Sequence, residues 1–479
     1  MTSGIGVDRT MADATRFAGL LVLALNTALV APNVLAAASP TASSVTEAAA
    51  PTPHPDAANA RGETMEDILD ERLSPLDQID QSIIDTEYDN ARIFLESYIR
   101  AIESAHHRYH EDLVRPLTQL GDIEMGRGNP LLAVEHYGRA VHVNRVSAGL
   151  HAPDQVPLVY KEAVAYRVMG NLTEANNREE YAFDVLQRVY GTYSEDILPG
   201  IYRLADWYGS NYKIFAARNL YERAVLIYEH NEKQDAVESI RALEGIARTY
   251  RLERFPPVYV SSSRDTISNP AVTASNRTAV HRQQLTINNF PAGERALQRI
   301  IQIRQSQSDG EPMDVLESML DLADWHLMFE RYRRAFPLYE HVYKEIDKLG
   351  GDAAAFFGEP MLLYFPVPAD PKPPAVNKRD KEQAGFVDLS FRISSTGRVE
   401  NMEMLASQPE GLMDFRVRKA MKIARYRPVL VEGVPNPYED YRFRHDFRYF
   451  PHKNHQPAPE VPADATDTLA ENSAETTSE

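Results

Sequence analysis

The residues with the most metal-like types and spacing are a cluster of imidazoles and one carboxylate. Glu103, His106, His107 and His110 lie close together, and His106 and His110 are one helical turn apart. Two imidazoles at this spacing can share a zinc ion, but a zinc site generally needs a third or fourth protein ligand. The segment also falls at a turn between two units of a longer repeat. We therefore interpret it as a solvated turn and predict no metal site.

Motifs for catalysis or cofactor binding are absent from the sequence. It contains no Gly-x-x-x-x-Gly-Lys-Ser/Thr, Gly-x-Ser-x-Gly or His-Glu-x-x-His, the usual signatures of nucleotide-binding proteins, serine hydrolases and zinc proteases. It has no cysteine, which excludes disulfides, thiolate ligands and cysteine nucleophiles. We predict a protein that is not an enzyme and that needs no cofactor.

The last predicted strand carries residues that could contact a partner. Between Tyr441 and Phe450, aromatic residues alternate with mostly basic ones, so one face should be packed and the other solvated. Arginines on an exposed strand can protect its edge from unwanted pairing, or they can bind an acidic segment. The sequence leaves both interpretations open. The candidate partner-binding residues are Arg442, Arg444, Arg448, Tyr441 and Phe443.

The elements that must position this strand form a small α+β module. Val387, Leu389, Phe391 and Ile393 alternate along a first strand, and a turn at Ser394–Gly397 leads into a second. A short amphipathic helix follows. Two further strands are predicted, Arg425–Val431 and Tyr441–Phe450. The predicted order is strand–strand–helix–strand–strand. The apolar side chains at helical spacing are Met413, Val417, Ala420, Met421 and Ala424.

These residues carry a family resemblance. The segments Gly385-x-Val-x-Leu-x-Phe-x-Ile393, Gly397-Arg-Val399, Ser407-Gln-Pro409 and Arg425-Tyr-Arg-Pro428 follow one another in the order found in the C-terminal domain of TonB-type proteins. The chain resembles that family over residues 360–453. The resemblance implies a sheet with an exposed edge that accepts an extended peptide from an outer-membrane partner. Backbone hydrogen bonds then supply affinity, and alternate side chains supply specificity.

The longer part of the chain repeats with a fixed period. Ala91, Ala133, Ala175 and Ala217 are each 42 residues apart. A period of this size predicts a solenoid in which each unit buries its apolar face on its neighbours. The tetrapeptide Leu-Ala-Asp-Trp ends at both Trp207 and Trp325. We interpret the recurrent alanines and tyrosines as packing residues.

The repeats resemble tetratricopeptide repeats, in the long-helix form with a period of 42 residues found in kinesin light chains. We therefore predict a mainly α protein, with a tetratricopeptide-like helical solenoid over residues 64–350 and the small α+β module after it. One unit is interrupted by a Ser-, Pro- and Asn-rich segment, 255–289, which composition favours as disordered or loosely packed.

The remaining segments are predicted to lie outside the folded parts. Residues 1–38 have the apolar stretch and small residues of a signal peptide, with an uncleaved membrane anchor over residues 17–35 as the rival. Residues 39–63 form a disordered Ala/Pro/Thr linker, and residues 454–479 a disordered acidic tail.

The net charge and the domain organisation restrict the classes of function that the sequence supports. The net charge of −18 argues against nucleic acid as a partner. The sequence favours a periplasmic interaction protein of a Gram-negative envelope, with protein partners that include outer-membrane transporters or other envelope proteins. The alternative is an energy transducer of the TonB family, anchored in the inner membrane and facing the periplasm. Membrane contact is expected only if residues 17–35 remain uncleaved.

Overall fold

The structure is a computed structural model that describes residues 75–257, 289–308, 310–375 and 380–451. The predicted leader, linker and acidic tail lie outside these ranges. The predicted loop 255–289 also lies outside them, apart from its two ends.

Within the described residues, the solenoid consists of six consecutive helix pairs, α1/α2 to α11/α12. The second helices of three successive pairs begin at Pro130, Leu172 and Ile214, each 42 residues after the last, as the sequence period predicts. The helices are α1 Pro75–Ile84, α2 Tyr88–Ala105, α3 Val114–Gly126, α4 Pro130–Ala148, α5 Gln155–Val168, α6 Leu172–Tyr190, α7 Leu198–Ser210, α8 Ile214–His230, α9 Ile240–Arg254, α10 Phe290–Ser306, α11 Pro312–Met328 and α12 Tyr332–Lys348.

The recurrent small residues let neighbouring helices approach closely. Ala133, Ala175 and Ala217 occupy the same position in successive second helices, and each is fully buried. Tyr137 and Tyr221 fill the space beside them and are also buried. Because buried apolar contact is the main favourable contribution to folding, the period in the sequence is a period of packing.

The turn between the two helices of a pair has a fixed backbone requirement. Thr86, Gly128, Gly170 and Tyr212 lie 42 residues apart and all have φ between 59° and 77°, as does Glu330 with φ 62°. Glycine meets this left-handed requirement without steric cost, and the other residues carry some strain. The tight turn is therefore imposed by the packing of the pair rather than by glycine alone.

The C-terminal part is a strand module built around one three-stranded antiparallel sheet of order β3-β2-β7. A short helix, α13 (Ala353–Phe356), precedes it, and α14 (Asp414–Met421) lies between β3 and β4. The strands are β1 Met361–Tyr364, β2 Gln383–Ile393, β3 Val399–Gln408, β4 Arg425–Arg427, β5 Val429–Val431, β6 Val434–Asn436 and β7 Tyr438–Tyr449.

The core of this module is the one that alternation and helical spacing predict. Val387, Leu389, Phe391 and Ile393 of β2 are all buried beneath the sheet. They pack against α14 and its flanks, where the five apolar residues predicted from helical spacing are all buried as well. One face of the sheet is thereby closed and the other left to solvent.

The strand order differs from the predicted one. The single strand expected over Arg425–Val431 is divided at Pro428, because proline has no N–H to continue a ladder. Its first half, β4, pairs with β1, and its second half, β5, pairs with β6. The predicted order omits both β1 and β6. The last strand also begins earlier, at Tyr438, with an irregularity in pairing before Tyr441.

Candidate protein-binding surfaces

The outer edge of β7 is the longest regular strand edge in the described module. From Tyr441 to Tyr449, each residue pairs with the next along β2 without interruption, from Phe391 back to Gln383. Within the described residues, β7 has no strand on its other side. Alternate backbone N–H and C=O groups of such an edge are available for pairing with another chain.

The opposite edge of the sheet is less regular. The pairing of β3 with β2 shifts register twice, between Asp388 and Leu389 and between Ser390 and Arg392. Asn401 of β3 adopts φ 49°. Such bulges bend a strand and interrupt its outer hydrogen-bonding row. An incoming strand would therefore pair more readily with β7 than with β3.

The predicted aromatic residues of β7 lie on the packed face. The Tyr441 ring lies 5.3 Å from that of Tyr426 and 5.5 Å from that of Phe391. The Phe443 ring meets Phe365 at 5.1 Å. Both side chains are half-buried. They position the strand, and only their exposed portions are open to a partner.

The predicted arginines lie on the solvated face, where neighbouring carboxylates pair with two of them. The Arg444 guanidinium lies 2.9 Å from Asp446 and 4.0 Å from the centroid of the Phe386 ring. Arg448 contacts Glu382 at 3.1 Å.

Arg442 lies opposite Ser390 in the register. Among the described residues it makes no ion pair. Arg444 also lies 3.7 Å from Asp388 across the strand pair. The ion pairs of Arg444 and Arg448 favour a role in cross-strand pairing, whereas Arg442 is exposed and is the more available cation.

A second charged surface, which sequence reasoning missed, lies on the solenoid. Arg241, Glu244, Arg248 and Arg251 occur at spacings of three and four residues, so they form one stripe along α9. The signal was present in the spacing, but charged stripes are common on solvated helices. Only the packed structure shows that α11 faces this stripe with carboxylates of its own.

One of the α11 carboxylates, that of Asp321, has a strongly raised pKa. The Asp321 side chain reaches solvent, yet the surrounding protein desolvates it and raises its pKa to about 7. Asp324 raises this pKa further, whereas Arg427 and Arg251 lower it. Burial likewise raises the pKa of Glu244. Perturbed carboxylates beside cations mark candidate binding surfaces, although structural ion-pair networks produce the same shifts.

A cleft opens beside the same stripe. Its volume is about 610 Å³, and its lining includes Tyr202, Tyr228, Arg241 and Arg304. The Arg241 guanidinium lies 4.3 Å from the centroid of the Tyr202 ring. Aromatic and arginine side chains together are the residues enriched where proteins bind one another.

The histidine cluster does not assemble a metal site in the described part of the chain. The rings of His106 and His110 stack at 4.1 Å, and Glu103 forms an ion pair with Arg139. No group of three or more potential ligands converges among the described residues. Within the same ranges, no helix combines the length and the apolar character that a bilayer span requires.

Comparisons with known proteins return helical repeat structures. No protein-family model matches the chain. No curated protein matches it significantly.

Among solved structures, a kinesin light chain-like protein of Podosopora anserina with nearly identical TPR-like repeats is 16% identical and covers 50% of this chain and 98% of its own, with a TM-score of 0.35. BtubC (BKLC) from P. vanneervenii is 14% identical and covers 57% of this chain and 93% of its own, with a TM-score of 0.34. The TPR2AB domain of yeast Sti1, solved as a complex with pHSP90, is 15% identical and covers 57% of this chain and 89% of its own, with a TM-score of 0.22. The TPR-like solenoid is defined by the six consecutive helix pairs in the described residues.

Proposed function

We propose that this protein is a non-enzymatic interaction protein of the cell envelope, in which a TPR-like scaffold carries a TonB-like module that docks a partner segment by strand addition at β7. The observation that carries the proposal is the β7 edge. Its nine residues from Tyr441 to Tyr449 are in continuous register with β2, and no described strand covers the other side. An extended peptide could pair there with its backbone groups.

The contacts between the module and the solenoid favour a rigid scaffold over a module on a flexible tether. Arg427 forms a buried ion pair with Asp324 of α11, and Arg425 contacts Glu330 in the turn between α11 and α12. A module held in this way would present β7 at a fixed place beside the solenoid. An energy transducer that must extend across the periplasm would need either mobility of the module or reach through the solenoid itself.

Site-specific photo-crosslinking in cells tests strand addition. A photo-reactive residue at position 442, on β7, should capture a protein partner, whereas the same residue at position 403, on β3, should not. A proline at Phe443 or Phe447 removes backbone donors from the strand and should abolish the adduct at 442 while circular dichroism shows a retained fold. An undiminished adduct in a folded proline variant would contradict the proposal.

The compartment is tested separately by the mature N-terminus. Membrane fractionation followed by N-terminal sequencing should find a start at Ala37 or Ser39 in the soluble envelope fraction. A full-length N-terminus in the inner membrane would instead support the energy transducer.

A further inference from the structure

One polar motif recurs along the solenoid at the contact between the two helices of a pair. Tyr137 donates its hydroxyl hydrogen to Asp122 at 2.7 Å, and Tyr221 donates to Asp206 at 2.6 Å. In both pairs the carboxylate lies on the first helix and the tyrosine on the second, 15 residues later. The tyrosine rings are buried, so these hydroxyls need a partner.

The first helix of the following pair completes each motif with a cation. Lys161 of α5 lies 2.6 Å from Asp122. Arg248 of α9 lies 2.7 Å from Asp206. The carboxylate therefore joins three helices, two in its own pair and one in the next. This arrangement connects a unit to its successor as well as closing the unit itself.

The last described pair contains the same motif without a further helix pair after it. Tyr339 of α12 donates to Asp324 of α11 at 2.7 Å, again across 15 residues. The cation here is Arg427 of β4, whose guanidinium binds both carboxylate oxygens at 2.9 and 2.5 Å. All three side chains are buried. A bidentate pair of this kind is orientation-specific and costly to break from one side.

The strand module also makes apolar and backbone contacts at the place where a further repeat would pack. Leu363 of β1 and Leu430 of β5 belong to one buried cluster with Leu320 and Leu327 of α11. The Leu430 N–H donates to the carbonyl of Phe357 at 3.1 Å. The apolar end of α11 and α12, which a further repeat would otherwise cover, is therefore covered by the strand module.

The guanidinium of Arg251 adds a contact from the preceding unit. It donates to the carbonyl of Leu363 in β1 at 2.5 Å. Around the rim of the junction, Glu330 contacts both Arg398 and Arg425 of the module, at 2.7 and 3.0 Å. Helices α9 and α11 thus both hold the short β1/β4 sheet.

We infer that the strand module is the C-terminal cap of the solenoid, with β1 and β4 taking the place of the first helix of a further repeat and Arg427 replacing its cation. The terminal units of a solenoid need such a cover, because each unit buries its apolar face only against a neighbour. Part of the Arg-Tyr-Arg-Pro segment, which belongs to the TonB-like pattern, is thereby used inside the molecule. The inference concerns how the module is held and does not depend on what β7 binds.

Amide hydrogen exchange on the full chain tests this cap. Arg427→Met keeps an apolar stem but leaves Asp324 buried without its cation. We expect exchange in α11, α12, β1 and β4 to become about tenfold faster or more, while the paired strands β2 and β3 and the distant helix α5 keep their protection. Arg418→Met removes an exposed arginine of α14 and should leave all of these segments unchanged.

Two further variants keep the test decisive if Arg427→Met fails to fold. Glu330→Gln weakens only the exposed rim of the junction and should accelerate exchange in the same segments by a smaller factor. Lys161→Met removes the equivalent cation between the second and third pairs and should loosen α3 and α5 without affecting β4. The inference would be overturned if exchange in α11 and α12 stayed unchanged both in Glu330→Gln and in a folded Arg427→Met. It would also be overturned if exchange rose equally throughout β2 and β3.

Discussion

At the scale of single residues, the junction between solenoid and module concentrates charge where water is scarce. Asp324 and Arg427 are both buried and satisfy each other, with Tyr339 as a third member. Asp321, one turn earlier on α11, interacts with the nearby arginines Arg427 and Arg251 through charge, and among the described residues it has no bidentate pair of this kind. Its raised pKa shows that its ionised form is disfavoured in the folded protein despite the nearby arginines.

The Asp321 carboxylate should make stability depend on pH. Its folded-state pKa of about 7 lies above the ordinary value of 3.8, so the folded protein binds the proton more tightly than the unfolded chain. The stability contribution of this group therefore falls as pH rises from about 4 to about 7. Asp321→Asn, which is never charged, should stabilise the protein more at pH 8 than at pH 5, by roughly 1 kcal/mol after allowance for solvent screening.

Thermal unfolding of both proteins at the two pH values measures this difference. Asp347→Asn, at an exposed position on α12, is the matched control and should shift Tm by the same amount at pH 5 and pH 8. If Asp321→Asn also shifts Tm equally at both pH values, the carboxylate does not titrate as expected.

At the scale of elements, close approach between helices decides which small residues are indispensable. Gly245 of α9 faces the ring of Tyr221 in α8, and a methyl group at Gly245 would overlap that ring. Tyr221 is buried and bonded to Asp206, so it cannot easily move aside. Gly209 of α7 is also helical, but no neighbouring atom lies within 4 Å of the place that an added methyl group would occupy.

The two glycines should therefore respond to alanine with opposite signs. Gly245→Ala should destabilise the protein by about 1–3 kcal/mol through overpacking, even though alanine is the better helix former. Gly209→Ala should stabilise it by about 0.5–1 kcal/mol through helix propensity alone. Urea unfolding followed by circular dichroism measures both free energies. Stabilisation by Gly245→Ala would show that α8 and α9 are not in the close contact described.

The sequence predicted which face of a strand each side chain of the module lies on better than it predicted which strands and side chains pair. The alternation in β7 correctly assigned Tyr441 and Phe443 to the packed face and Arg442 to the solvated one. It did not predict that Arg448 would meet Glu382, because cross-strand partners depend on register with β2. The division at Pro428 follows from local chemistry, whereas the pairing of β4 with β1 required the tertiary structure.

At the scale of the whole molecule, stability should be distributed unit by unit. Each helix pair contacts chiefly its neighbours, so a defect in one unit should be felt nearby and fade with distance. The N-terminal units and the strand module are therefore expected to open separately under mild destabilisation.

A core truncation near the N-terminal end tests this independence. Leu117 of α3 is fully buried, and Leu117→Ala should cost about 2–5 kcal/mol within its own unit. Hydrogen exchange should accelerate in α2, α3 and α4 and stay unchanged in β2. Leu131→Ala removes a side chain that is 65% exposed on α4 and should have little effect. Equal acceleration in β2 would indicate that the chain unfolds as a single cooperative unit.

By itself, the sequence determined the features that arise from local spacing: the helix pairs with their 42-residue period, the buried alanines, and the two-faced strands β2 and β7. These follow from helical and strand periodicity acting over a few residues. Only the tertiary structure decided which groups meet across long separations, above all Asp324 with Arg427, which are 103 residues apart. No periodic pattern encodes that contact, because it exists only once the module has packed against the last helix pair.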